Sequence, residues 1–318
     1  MKHLVMIEKD IFDLHREFFR AFSPQVKFVP FKGKGEDSPY RSLLPQVTVL
    51  VTRSNLEEAE YRSAPRLRLI QLPMAGYDHF DFTLACKYGI PVSGNGGANA
   101  LSVSEHVFGL ALALYRQLFF HHLSILEGRW INRKHSNREL FGKTLGIVGL
   151  GRIGTQVARR ARAFGMKVLF TDIRPMPKSF LSRYQIIRTT LRDLLKRSDL
   201  VTLHVPLTPR TKGMMKTANL RLMKPSSILI NTSRGEVVRE KDLAACLRRR
   251  GIRAAALDVF EKEPLPLDSP LRKLDNVILT PHCAPSFETT LRVRDLICEN
   301  IRRAVAGRRP LHPLPEKH

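Results

Sequence analysis

The chain has 318 residues, 43% hydrophobic and 26% charged, which excludes a disordered chain and suggests two domains rather than one core. Its 53 lysines and arginines outnumber 29 aspartates and glutamates for a net charge of +24, a field that attracts anions of any kind. The longest strongly apolar stretch, Val107–Tyr115, is too short to cross a bilayer, and Leu4–Ile7 is interrupted by Glu8, Lys9 and Asp10 before it can act as a secretory core.

Short runs rich in Val, Leu and Ile predict strands at Leu4–Ile7, Val26–Phe31, Val47–Thr52 and Leu67–Leu72, with a polar, Gly-rich connection at Lys32–Pro39. Gly94-Asn95-Gly96-Gly97 breaks the pattern and reads as a hinge. Ser102 and Glu105 match a capping box, followed by an apolar helix to about residue 118. From Lys143 onward six continuous apolar runs follow: Leu145–Leu150, Lys167–Thr171, Leu200–Val205, Ser227–Asn231, Ala254–Asp258 and Val277–Thr280. Runs apolar on both faces suit buried parallel strands, so an α/β fold with a doubly wound sheet is expected. An amphipathic helix over Glu288–Ala306 and a Pro-rich tail close the chain.

The four cysteines, Cys86, Cys246, Cys283 and Cys298, form no Cys-x-x-Cys pair. Their spacing suits neither a zinc site nor a disulfide scaffold, so free thiols, no metal and a cytoplasmic location are expected. The positive charge is spread over Arg159, Arg160 and Arg162, over Arg248–Arg250, and over Arg302, Arg303, Arg308 and Arg309. Each group sits on or just after a helical segment, where a solvated face accounts for it. No aromatic-and-basic motif marks a nucleic-acid surface.

Gly149-Leu150-Gly151-Arg152-Ile153-Gly154 sits between a predicted strand and a predicted helix, Thr155–Phe164, and Asp172 ends the next strand 18 residues later. In a dinucleotide site the first glycine permits a tight turn and the second lets backbone approach a pyrophosphate. The third lets helix and strand pack closely, and the helix offers bare N–H donors to the phosphates. Asp172 suits the adenosine ribose hydroxyls and favours NAD over NADP, although Arg174 two residues on weakens that preference.

Three later strand ends carry reactive side chains. Arg234 follows one, Glu263 stands in the acidic segment Asp258–Pro264 after another, and His282 follows a third. Ligands of an open α/β sheet bind beyond the C-terminal ends of its strands, so the three can converge. Reducing a 2-keto acid needs a cation for the carboxylate and carbonyl, and a guanidinium fork suits it. It also needs a proton donor for the carbonyl oxygen, which an imidazole supplies near neutral pH. A carboxylate beside that imidazole fixes its orientation.

These residues resemble the D-isomer-specific 2-hydroxyacid dehydrogenases over nearly the whole chain. The likeness is most specific at Gly142–Gly154, Leu203–Thr208, Asn231–Gly235 with Ala256–Pro264, and Thr280–His282. It implies a flavodoxin-like substrate domain built from residues 1–99 and 285–318, with a Rossmann domain, residues 100–284, inserted between them. By the same likeness Arg234, Glu263 and His282 form the catalytic set. NAD would be held by Gly149, Gly151, Arg152, Ile153, Gly154, Asp172 and Thr232. Asp258 would take the nicotinamide carboxamide, and His204, Pro206 and Thr208 would line the adenine side.

For the substrate carboxylate the likeness points to the backbone of Ala75 and Gly76, together with Arg234. Arg53 sits where some members place a substrate contact, and a surface role serves it equally well. The helix after Ser102 resembles the element through which members form homodimers, and a plain core helix reads the same in sequence. Cys283 departs from the small residues and glycine commoner after the histidine. The expected activity is hydride transfer between NAD(H) and a small D-2-hydroxy acid or 2-keto acid of the glyoxylate, hydroxypyruvate or D-lactate type. The rival reading is an NAD(H)-sensing corepressor-like binding protein of the same fold, which keeps the same residues.

Overall fold

The computed structural model describes residues 2–33, 40–131 and 136–315. The chain divides into two compact units, one formed by Met1–Asn99 with Phe287–His318 and the other by Ala100–Ser286. Residues 34–39 of the expected polar connection lie outside the described residues.

In the first unit, strands β1 (His3–Glu8), β2 (Val26–Phe31), β3 (Val47–Val51), β4 (Leu69–Gln71) and β5 (Val92–Ser93) pair in parallel in the order β2-β1-β3-β4-β5. That is the flavodoxin-like order. All five residues of β3 are buried, as a continuous run of β-branched and leucine side chains in a sheet covered on both faces should be. The Pro-rich tail supplies a short strand, Pro313–Leu314, antiparallel to β5. Its approach is fixed by Asn300 of the Phe287–Val305 helix. The Asn300 side-chain amide donates to Gln71 Oε1 (2.7 Å) and Ser93 Oγ (2.9 Å), and its carbonyl accepts from Leu311 N (2.7 Å).

The second unit carries seven parallel strands: β6 (Thr144–Val148), β7 (Lys167–Thr171), β8 (Ile186–Arg188), β9 (Leu200–Leu203), β10 (Ile228–Asn231), β11 (Ala254–Leu257) and β12 (Val277–Leu279). Their order, β8-β7-β6-β9-β10-β11-β12, is the Rossmann sequence with one further strand beyond β11. Six of them are the predicted apolar runs. The seventh, β8, is an edge strand buried only at Ile186, so it lacks the double-faced apolar pattern that marks the others. Alternate side chains feed two cores. Leu145, Ile147, Val168 and Phe170 pack on one face, and Val148, Leu169, Val201 and Leu203 on the other.

The expected capping box is not one. The helix begins at Ala100, and Ser102 is buried inside it with its hydroxyl 2.9 Å from Ser286 Oγ. The helix ends at Tyr115, short of residue 118. Left-handed Gln117 (φ 52°) then separates it from a second apolar helix, Leu118–Leu126. Among the described residues no helix is long and apolar enough to cross a membrane.

Candidate active site

Six of the seven strands, all but the edge strand β8, lead at their C-terminal ends into segments that carry expected site residues. Gly149 follows β6, Asp172 follows β7, His204 follows β9, Thr232 follows β10, Asp258 follows β11 and Thr280 follows β12. β6 and β9 are neighbours, and the strand order reverses between them, which is where a doubly wound sheet opens a crevice.

The Gly-rich turn fits its expected role. Gly149 has φ +92°, and a Cβ there would stand 2.4 Å from the His204 carbonyl oxygen. A Cβ on Gly154 would meet Gly149 O at 2.2 Å, so the helix can approach the strand only without a side chain. The Arg152–Ala163 helix starts directly at this turn. Gly151 caps it with no side-chain bond, and no acidic residue occupies its first turn. Asp172 accepts from Leu150 N (2.7 Å) and Arg174 N (2.8 Å), which ties the end of β7 to the turn. The Arg174 guanidinium reaches over the turn, with Nη2 3.2 Å from the Cβ position of Gly151.

His282 Nδ1 and Glu263 Oε2 are 2.8 Å apart. The other Glu263 oxygen accepts from Phe260 N at 3.0 Å, so the carboxylate is anchored while it orients the ring. Among the described residues no protein group meets His282 Nε2, and the side chain is 49% exposed, so that nitrogen is open to a substrate oxygen. His282 also has left-handed backbone, φ 51°. That conformation costs a residue with a Cβ about 1–2 kcal/mol. Its N–H donates to Asp258 O (2.9 Å) and Thr280 O (3.0 Å), bonds of about 1 kcal/mol each that offset the strain.

Asp258 holds this turn from beneath. Its side chain is 1% exposed and accepts from Thr280 Oγ1 (2.6 Å), Cys283 N (3.0 Å) and Ala284 N (3.1 Å), with His106 Nε2 at 3.5 Å. Burial pushes the carboxyl pKa up, but the hydrogen bonds from His106, Thr280, Cys283 and Ala284 outweigh it and hold the pKa below the ordinary value. Arg234 is half-buried beyond β10, with Nη1 on the Ser233 carbonyl at 2.6 Å. The turn carrying it is braced by Asn231, whose amide donates to Arg234 O (2.8 Å).

In the first unit, the Arg53 guanidinium lies against Glu8 and Asp10, and its backbone N–H donates to Glu8 Oε1 (2.6 Å). This arrangement favours the surface ion-pair reading of that residue. Ala75 and Gly76 lie in the loop after β4, and their amides donate to no protein group among the described residues.

A family model for the D-isomer specific 2-hydroxyacid dehydrogenase NAD binding domain matches residues 108–284. The chain belongs to the D-isomer-specific 2-hydroxyacid dehydrogenase family. It is 42% identical over 247 residues to a glyoxylate reductase of Korarchaeum cryptofilum, covering 76% of this chain and 74% of that protein. It is 40% identical over 259 residues to a D-3-phosphoglycerate dehydrogenase of Methanocaldococcus jannaschii, covering 81% of this chain but only 48% of that protein. A crystal structure of D-lactate dehydrogenase from Aquifex aeolicus complexed with NAD and lactic acid superposes with a TM-score of 0.78 at 29% identity, covering 96% of each chain.

This member of the 2-hydroxyacid dehydrogenases is therefore an NAD-linked oxidoreductase of 2-hydroxy and 2-keto acids. Two further features fit the dinucleotide. His204 Nδ1 and Thr232 Oγ1 are buried and have no hydrogen-bond partner among the described residues, so a bound polar group can satisfy them. Burial pushes the His204 pKa down to about 3, which leaves a neutral ring. The loop of Pro206 and Thr208 is closed by Thr211, whose hydroxyl donates to Pro206 O (2.6 Å) and accepts from Thr208 N (2.8 Å). Phe260 and His106, which the sequence does not single out, act on Glu263 and Asp258 through contacts that only the fold creates.

Proposed function

We propose that the enzyme interconverts a small 2-keto acid and its D-2-hydroxy acid, of the glyoxylate, hydroxypyruvate or D-lactate type. The observation that carries the proposal is the Glu263–His282 pair, which leaves Nε2 open at the C-terminal edge of the sheet. The nicotinamide, when bound, supplies or accepts the hydride. His282 gives a proton from Nε2 to the substrate's carbonyl oxygen in reduction and takes it back in oxidation. Glu263 holds Nδ1 and stabilises the imidazolium that exists when the ring is charged. Arg234 binds the substrate carboxylate and polarises the carbonyl. In the first unit we assign a carboxylate-binding role to the unengaged amides of Ala75 and Gly76, and leave Arg53 to its ion pairs.

For the cofactor, we assign the pyrophosphate to Gly149, Gly151, Arg152, Ile153 and Gly154 at the helix N-terminus, and the ribose to Asp172. We assign Thr232 and Asp258 to the nicotinamide side, and His204, Pro206 and Thr208 to the adenine side. A homodimer is supported by the helix Leu118–Leu126, where Leu118, Phe119, Leu123, Ile125 and Leu126 are all more than half exposed. Such a contiguous apolar face is what a partner subunit covers. A cytoplasmic location is the one in which four unpaired thiols persist.

The test is to offer the purified chain a panel of 2-keto acids with NADH and follow cofactor absorbance. Rapid NADH oxidation with at least one small 2-keto acid is expected, with NADPH the poorer reductant. Oxidation with none of them would sink the assignment of substrate class.

A further inference from the structure

The Asp258 turn gathers a second set of groups, of which the hydride-transfer reading uses Asp258 alone. His106 from the Ala100–Tyr115 helix, Asp258 after β11 and Cys283 after His282 bring an imidazole nitrogen, a carboxylate oxygen and a thiol sulfur within 4.8 Å of one another. Among the described residues His106 Nε2 is held only by long contacts, 3.5 Å to Asp258 Oδ1 and 3.3 Å to Thr280 Oγ1. Cys283 is exposed, so a solute can reach the cluster. Burial and the neighbouring Asp258 raise the thiol's pKa, which makes it a poor free nucleophile and a poor oxidation sensor. A divalent cation removes that handicap by displacing the thiol proton. Nitrogen, oxygen and sulfur are the donor types zinc takes, and three protein ligands leave a fourth position open. One carboxylate and one thiolate neutralise a dication, so the site suits a cation even in a strongly basic chain.

We propose that His106, Asp258 and Cys283 form a binding site for a thiophilic divalent cation of the zinc class, and that its occupation inhibits the enzyme. On binding, a bond forms from the metal to Cys283 Sγ and the thiol proton leaves to solvent. His106 binds as the neutral base through Nε2, with its proton on Nδ1, and no group changes oxidation state. Inhibition follows because Asp258 and Cys283 bracket His282. A metal that draws on Asp258 and fixes Cys283 holds the turn that must present Nε2 to substrate. The inhibitory half rests on the reductase reading above, whereas the binding half does not.

The test uses the full chain, freed of metal with a chelator, and Co2+ as the probe. Stoichiometric binding with a thiolate-to-cobalt charge-transfer band in the near ultraviolet is expected, displaced by Zn2+. Zinc should inhibit NADH oxidation reversibly, with recovery on adding chelator. Cys283→Ser should abolish the band and weaken zinc inhibition at least about tenfold, with turnover in metal-free buffer unchanged. His106→Gln should weaken cobalt binding, and Cys86→Ser, which removes the other exposed thiol, should change nothing. A band that survives Cys283→Ser, or one lost in Cys86→Ser, overturns the site. Cobalt binding at Cys283 without zinc inhibition overturns the regulatory half. The cobalt spectrum decides the site even if no keto acid is turned over.

Discussion

Gly235 and Phe260 meet through their backbones: a Cβ on Gly235 would stand 1.8 Å from the Phe260 carbonyl carbon and 1.9 Å from its oxygen. Phe260 N in turn holds Glu263, and Glu263 holds His282. The turn carrying Arg234 is thereby locked in register with the loop that orients His282. Gly235→Ala should force these loops apart. A misplacement of that order costs roughly 10²-fold in turnover. We expect a fall of that size in kcat with NADH affinity close to wild type. Full activity in the alanine variant, from steady-state kinetics, would show that the contact positions nothing.

His282→Asn tests the proton donor without breaking the turn, because asparagine accepts left-handed backbone readily. Loss of general acid–base catalysis should lower turnover by about 10²–10⁴-fold. NADH binding, followed by fluorescence titration, should change little. Glu263→Gln should cost less, since the amide can still meet Nδ1 but cannot stabilise a charged ring. An asparagine variant with wild-type turnover would remove His282 from the chemistry.

Asp172→Ala should weaken NADH by about tenfold or more, the worth of hydrogen bonds to a charged acceptor. NADPH should suffer less, because the carboxylate that repels a 2′-phosphate is gone and Arg174 stays beside the turn. Comparing Kd for the two cofactors in both proteins decides it. A wild-type enzyme that already prefers NADPH would mean that Arg174, not Asp172, governs the choice.

His204 predicts an acid-dependent stability. In the folded chain its pKa lies at about 3, against 6.5 ordinarily, because burial disfavours the charged ring. Between those values the unfolded chain binds the extra proton and the folded chain does not. The stability is therefore complete above about pH 6.5 and falls as the pH drops toward 3. Without cofactor, the wild-type Tm should fall more steeply from neutral pH to about pH 4 than that of His204→Gln, which has no ring to titrate. Parallel Tm profiles would mean that His204 is charged in the folded state.

The parts legible in the sequence are those where local chemistry and fold agree. Double-faced apolar runs announced six strands of the second unit, and the glycines from Gly149 to Gly154 announced the tight turn between β6 and the Arg152–Ala163 helix. β8 escaped because an edge strand needs only one buried residue, Ile186, to pair. Ser102 imitated a cap because the residues that bury it, including Ser286, lie far along the chain. The Gly235–Phe260 contact and the His106–Asp258–Cys283 cluster were invisible for the same reason. The first joins loops that the parallel pairing of β10 and β11 sets side by side, and the second joins the ends of β11 and β12 to the Ala100–Tyr115 helix.

The Asn300 amide gives the last residues of the chain a weight that their proline content conceals. It binds Leu311 at both ends of its side chain while also holding Gln71 and Ser93. Cutting the polypeptide ahead of Leu311 would take from the buried Asn300 and Ser93 side chains their bonds to Leu311 and bare the edge of β5 to any passing strand. A shortened version made for crystallisation or for a fusion at that end would then report on a damaged first unit, and its loss of activity would say nothing about catalysis.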